Sequence, residues 1–141
     1  MQTSRIAFKP FLDEEARRAI VDGVDNHNIA VTRMPDWWDV NFVLRRDDGD
    51  VLGGILGYVW GGWLQVTYLW VAESVRGAGH GTRLMLEAEG YARSRGAVGA
   101  TLETYSFQAE PFYRRLGYEV FAALPGCPVG HTKYYLRKSL L

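Results

Sequence analysis

The sequence predicts an α/β domain of mixed type, a twisted and largely antiparallel sheet of about six to seven strands with helices on both faces. Three observations carry this. Strand-like runs joined by short turns fill Asn41 to Val71, and a helical period replaces them over Gly79 to Arg95. A strand, a short helix and a final hairpin then follow. A strand–helix–strand order at the centre requires one parallel crossover within an otherwise antiparallel sheet.

Arg5 to Phe8 reads as a short strand. Asp13 then stands before Glu14 and Glu15, an N-cap with acids placed against the positive end of a helix dipole. That helix offers Ala16, Ala19, Ile20 and Val24 as a buried stripe and is expected to fray near Asp25 to Asn28. Val31 to Asp39 reads as irregular or as a short second helix. Asn41 to Arg46 alternates, Asp47-Asp-Gly-Asp50 turns the chain, and Val51 to Trp60 returns with Gly53, Gly54 and Gly57 thinning one face. Gly61-Gly62 turns again into Trp63 to Val71.

The central helix has Leu84, Ala88, Tyr91 and Ala92 on one face and Gly96 as its stop. Val98 to Tyr105 is a strand and Ala109 to Leu116 a short helix ended by Gly117. Tyr118 to Ala123 and Thr132 to Leu136 form the last strands, around the loop Pro125 to Gly130.

With 141 residues, 48% of them apolar and 23% charged, the chain has enough material for one domain spanning 1–141 with its own core. Sixteen basic residues balance sixteen acidic ones, so composition supplies no field to recruit nucleic acid or an anionic membrane. Arg5, Lys9 and Asp13 interrupt any apolar leader, and no run reaches the roughly 20 apolar residues of a membrane span. A cytoplasmic protein is the expectation. Cys127 is the single cysteine, which excludes an internal disulfide and a multi-cysteine zinc site; no metal is expected.

The most informative segment is Val71-Ala-Glu-Ser-Val-Arg-Gly-Ala-Gly-His-Gly-Thr-Arg-Leu84. A strand ends there, and three glycines lead straight into an amphipathic helix. Glycine permits positive φ and close backbone approach, and the helix start offers unpaired N–H groups to an anion. Arg76 adds a cation and Thr82 a hydroxyl. A nucleotide P-loop needs Gly-Lys-Ser/Thr, and this segment has no Lys. A dinucleotide fingerprint needs Gly-x-Gly-x-x-Gly, and the spacing here is Gly-x-Gly-x-Gly.

Arg76-Gly-Ala-Gly-His-Gly81 instead resembles the Arg/Gln-x-x-Gly-x-Gly/Ala loop of the GNAT superfamily of N-acetyltransferases. Ala109-Glu-Pro-Phe-Tyr-Arg-Arg-Leu-Gly-Tyr118 resembles that family's Ala-x-x-Phe-Tyr-x-x-x-Gly-Phe/Tyr segment. Leu69-Trp-Val71, Ser106-Phe-Gln-Ala109 and Gly130-His-Thr132 are similar to segments of small bacterial members. The resemblance implies the acyl-CoA N-acyltransferase fold and acetyl-CoA as cofactor. It implies that the diphosphate lies on Arg76, Gly77, Ala78, Gly79, His80, Gly81 and Thr82. Leu69 and Val71 are expected to pair with pantetheine, with the Val71 amide polarising the thioester carbonyl. Ser106 stands where the family often has a cofactor-binding Asn.

The resemblance also implies that Tyr113 donates a proton to the leaving thiolate. A phenol of pKa about 10 can bond to and protonate a thiolate of pKa about 8.5; a core aromatic is the competing reading. Many relatives carry an acid where this chain has Thr67. Glu103, near the end of the next parallel strand, ranks first among side-chain bases, beside a water relay. His27, Trp37 and His131 fall where the acceptor pocket is usually walled, against packing or surface roles for each.

The function expected is transfer of an acetyl group from acetyl-CoA to a primary amine of a small molecule by direct attack on the thioester. A non-catalytic acyl-CoA sensor and an acetyltransferase acting on a protein or peptide amine are the alternatives. Relatives are often dimers, so a homodimer through the aromatic C-terminal strands is also an expectation.

Overall fold

Asp13 caps the first helix, α1 (Glu14–Thr32), by accepting the Ala16 N–H at 3.0 Å. Arg33 closes it in the left-handed region (φ 60), its N–H donating to the Ile29 carbonyl at 2.8 Å. The helix therefore runs through Asp25 to Asn28, where fraying was expected. In this computed structural model, which describes residues 2–141, α1 lies in a first compact unit that ends at Pro35. No residue of α1 is buried, so the expected stripe is exposed at Ile20 and Val24. Arg5 to Phe8 is not a strand: it has no ladder partner among the described residues, and Ile6 and Phe8 are exposed. A strand exists only through pairing, and alternation alone does not supply it.

The second unit, Asp36–Leu141, holds the sheet. β1 (Trp38–Arg45), β2 (Val51–Trp60) and β3 (Trp63–Val71) form the meander, with Asp47 to Asp50 as its first turn. α2 (His80–Ser94) connects β3 to β4 (Gly99–Tyr105), and α3 (Glu110–Arg115) precedes β5 (Glu119–Pro125) and β6 (Thr132–Ser139). The six strands lie in the order β1-β2-β3-β4-β6-β5, antiparallel except for β3 beside β4.

α2 buries Leu84, Met85, Ala88 and Ala92 against Val40, Ile55, Val59, Leu64, Val66, Leu102 and Leu136 of the sheet. Each fully buried aliphatic of this kind contributes about 1.5–3 kcal/mol. Glu89 is buried in the same helix, and both of its oxygens are bonded. Tyr118 Oη donates to Oε2 and Lys138 Nζ to Oε1, each at 2.8 Å.

Two features of β3 open the molecule. β3 pairs with β4 only over Trp63↔Gly99, Leu64↔Ala100 and Gln65↔Thr101, and beyond them the parallel strands separate. At the same point the register with β2 jumps from Gly57↔Val66 to Leu56↔Tyr68, leaving Thr67 as the extra residue of a β-bulge. A bulge bends its strand and shifts the alternation by one. Leu64 and Val66 face the core, and beyond the bulge Leu69 and Val71 pack against it while Tyr68 and Trp70 are exposed. Gly57 makes room for this: a Cβ there would collide with the Gln65 carbonyl oxygen.

Candidate active site

The separated strands bound a cleft of about 780 Å³. One wall is β3 from Val66 to Val71. The other is Leu102, Glu103 and Thr104 of β4 with Phe107, Gln108 and Ala109 beyond it. Gly77 and Gly79 to Thr82 close one end, with Phe112, Tyr113 and Arg115 of α3 beside them. Sequence elements far apart meet here because one parallel pair is zipped for only three residues.

The end formed by α2 is built for an anion. The first intrahelical bond runs from the Arg83 N–H to the Gly79 carbonyl at 3.1 Å, so the amides of His80, Gly81 and Thr82 lack an intrahelical acceptor. No side chain caps the helix. Gly79, the N-cap, holds φ +83, and a Cβ there would meet nothing within 4 Å, so the space beside its backbone is open. His80 Nδ1 is buried without a hydrogen-bond partner among the described residues. Unsatisfied amides, an open cradle and an orphaned ring nitrogen are the features a bound diphosphate would complete. Gly81 has a different reason to be glycine: a Cβ would press on the Phe112 ring at 3.3 Å. Arg76 is anchored, its Nε donating to the Val71 carbonyl at 2.9 Å.

Backbone direction completes the other wall. The Ala72 N–H donates to the Leu52 carbonyl of β2 at 2.7 Å. Backbone groups alternate between the two edges of a strand, so the amides of Val71 and Leu69 point away from β2, toward the edge that β4 has left.

Tyr113 is buried, wedged edge-on between Phe112 (5.1 Å) and Tyr118 (6.1 Å). Its hydroxyl has no hydrogen-bond partner among the described residues, and burial pushes its pKa above the ordinary phenol value. It is a protonated donor held at the cleft wall. Glu103 also lines the cleft, with its side chain about half exposed, and pairs with Lys133 at 2.9 Å. The hydrogen bond to Glu103 raises the Lys133 pKa.

Of the residues singled out in the sequence, Leu69, Val71, Arg76, Gly77, Gly79, His80, Gly81, Thr82, Glu103 and Tyr113 line one cleft. Ala78 and Ser106 do not; the Ser106 hydroxyl accepts the Thr132 N–H at 3.0 Å and ties its loop to β6. Gln108 lines the cleft from that loop instead. Its Oε1 accepts the Tyr105 N–H at 3.0 Å and the Thr104 hydroxyl at 3.1 Å. Trp37 stacks on Tyr58 at 4.1 Å and bonds Asp39, outside the lining residues. His131 makes a T-shaped contact with the cleft residue Phe107 at 4.8 Å without lining the cleft itself, and His27 belongs to α1 in the first unit. The sequence assigned no role to Tyr68, Phe107, Gln108 or Arg115, and named Trp70 only between Leu69 and Val71. The signal for Phe107 and Gln108 lay in their loop, which follows the C-terminal end of a parallel strand.

Comparison with known proteins bears on this geometry. Residues 9–118 match the model of the acetyltransferase (GNAT) family. Blasticidin-S acetyltransferase of Streptomyces morookaense is 45% identical over 93 residues, which is 65% of this chain and 68% of that protein. An acetyltransferase of Agrobacterium fabrum is 36% identical over 126 residues, 89% of this chain and 92% of the relative. A crystal structure from Agrobacterium tumefaciens, assigned as an acetyltransferase, superposes with a TM-score of 0.89 at 34% identity. The match covers 96% of this chain and 99% of that one.

Proposed function

The chain belongs to the GNAT family of acetyl-CoA-dependent N-acetyltransferases, and we propose that it acetylates a primary amine of a small molecule by direct attack on the thioester. The observation that carries this reading is the short β3–β4 pairing, which leaves amides, a phenol and a carboxylate facing one cleft. Relatives named for blasticidin S (45% identical) and for nourseothricin (30% identical, TM-score 0.65) support an acceptor of small-molecule size.

In this reading the amides of His80, Gly81 and Thr82, the Gly77–Gly79 backbone and Arg76 hold the diphosphate of acetyl-CoA, and Leu69 orients the pantetheine arm. Bound acetyl-CoA would supply an acetyl thioester as acyl donor, exchanging its carbon–sulfur bond for the carbon–nitrogen bond of the amide. The Val71 amide donates to the carbonyl oxygen and stabilises the charge that develops there. Glu103 receives the proton of the acceptor ammonium, directly or through one water, because a free alkylammonium of pKa about 10.4 is protonated at neutral pH. Tyr113 would deliver its proton to the leaving sulfur, and the second proton that the nitrogen sheds as the amide forms would reprotonate the phenolate through solvent. The raised pKa of Tyr113 keeps it protonated until that moment.

Thiol release from acetyl-CoA over a panel of primary amines tests the function, and Tyr113→Phe tests the assignment. The variant is expected to lose about a hundredfold in kcat, the lower range for general acid catalysis, with the affinity for acetyl-CoA kept. Unchanged turnover removes Tyr113 from the mechanism. Saturable acetyl-CoA binding with no turnover on any amine overturns the small-molecule acceptor.

A further inference from the structure

We propose that Tyr68, Trp70 and Phe107 select the acceptor, and that the acceptor carries its amine beside a flat conjugated ring; this rests on the small-molecule reading above. The bulge at Thr67 turns Tyr68 and Trp70 to the exposed face of the sheet, where both line the cleft from β3. Phe107 lines it from the loop that follows β4, on the other side of the gap. The three residues are 68%, 53% and 56% exposed.

Exposed aromatic residues elsewhere in Asp36–Leu141 have their ring faces occupied. Trp37 stacks on Tyr58 at 4.1 Å, Phe121 lies under the Arg137 guanidinium at 5.2 Å, and Trp63, which has no ring or cation partner among the described residues, lies over Gly99, where a Cβ would meet its ring at 2.6 Å. Tyr68 and Trp70 have no ring, cation or hydrogen-bond partner among the described residues, although both line the cleft. Phe107 stacks on Tyr105 (5.3 Å, interplanar 2°) and meets His131 in a T-shaped contact (4.8 Å), and the two contacts fix its orientation. Two unoccupied rings on one wall and a braced ring on the other form a slot for a planar group. Stacking adds attraction beyond the area buried, and a saturated ring of equal size cannot obtain it.

The test compares 2-phenylethylamine with 2-cyclohexylethylamine, which share a chain and an amine and differ in the flatness of the ring. Calorimetric binding to the acetyl-CoA-loaded protein and kcat/KM are both measured, for wild type, Trp70→Leu and Tyr68→Leu/Trp70→Leu. The wild type is expected to favour the phenyl compound about tenfold or more, the size of one to two good ring contacts, with the ratio falling toward one in the variants. Equal binding of the two amines, no measurable binding of either, or a ratio that survives the double substitution overturns the proposal. Preferential binding without acetylation would uphold the slot and sink small-molecule transfer. Equal acetylation of both would do the reverse.

Discussion

The two ends of β3 lie in the same strand and do opposite things. At Trp63–Gln65 the strand is bonded on both edges, to β2 and to β4. The row Leu64–Ala100–Lys138 leads there to the buried Glu89, which has both oxygens bonded. At Leu69–Val71 the strand is bonded only to β2, and around it the buried His80 Nδ1 is unsatisfied, while the first amides of α2 and the Tyr113 hydroxyl have no partner among the described residues. Buried polar groups are normally paired, and leaving one unpaired costs about 1–3 kcal/mol. The saturated end stabilises the fold, while the unsaturated end stores binding capacity. Thr67 and Gly57 mark the boundary.

Removing that boundary should produce the largest effect. Deleting Thr67 takes out the extra residue while leaving Leu69 and Val71 on the core face, so β3 becomes a regular strand able to pair with β4 past Gln65. Acetyl-CoA binding by calorimetry is expected to vanish, while the melting temperature holds or rises. Retained binding would show that the bulge does not keep the strands apart. Next in size is an attack on the saturated end. Lys138→Met leaves Glu89 buried with its charge uncompensated and should cost about 3–5 kcal/mol in a urea melt. Glu89→Met together with Lys138→Met should recover most of that loss, and failure to recover would mean that the pair does more than balance itself.

The open end is tested by Gly79→Val. A side chain there enters the space beside the loop and is also strained at φ +83. Acetyl-CoA affinity should fall about a hundredfold, roughly 2.7 kcal/mol, with far-UV circular dichroism unchanged. A loss below about threefold, under 1 kcal/mol, would move the anion site elsewhere.

The sequence conveyed most of what depends on local chemistry. The Asp13 cap, the glycine turns of the meander, the glycine loop before α2 and the Phe-Tyr pair of α3 each follow from residues close in the chain, and all took the expected form. What depends on pairing was hidden. Thr67 looks like any strand residue, and strict alternation from Leu64 would send Tyr68 and Trp70 inward. Gly57 was legible only as a thin spot, since its meaning comes from the Gln65 carbonyl across the ladder. Arg5 to Phe8 alternates like a strand but has no partner. Ser106 was assigned from its place at the family's Asn position, yet the loop turns its hydroxyl to the Thr132 amide, and Gln108 lines the cleft.

The smallest effect separates two neighbouring tyrosines, whose rings lie 6.1 Å apart. Tyr118 donates to Glu89, and burial, then the Glu89 charge and hydrogen bond, push its pKa far above the ordinary phenol value. Tyr118→Phe should therefore lower stability by about 2 kcal/mol near pH 8, the size of a hydrogen bond to a charged group. A group with a raised folded pKa stabilises fully below its unfolded pKa, and that contribution is lost as pH climbs beyond it. The deficit of the variant should thus stay constant up to about pH 10 and close by about 1.4 kcal/mol per pH unit above it. Urea melts from pH 8 to 11 measure this, and a deficit independent of pH would contradict the assignment. Tyr113 makes no such bond, so its hydroxyl contributes little to stability, and the same Tyr→Phe change there should register in turnover. If both substitutions moved the same observable, the saturated and unsaturated ends would not be distinct, and the functional reading of β3 would lose its basis.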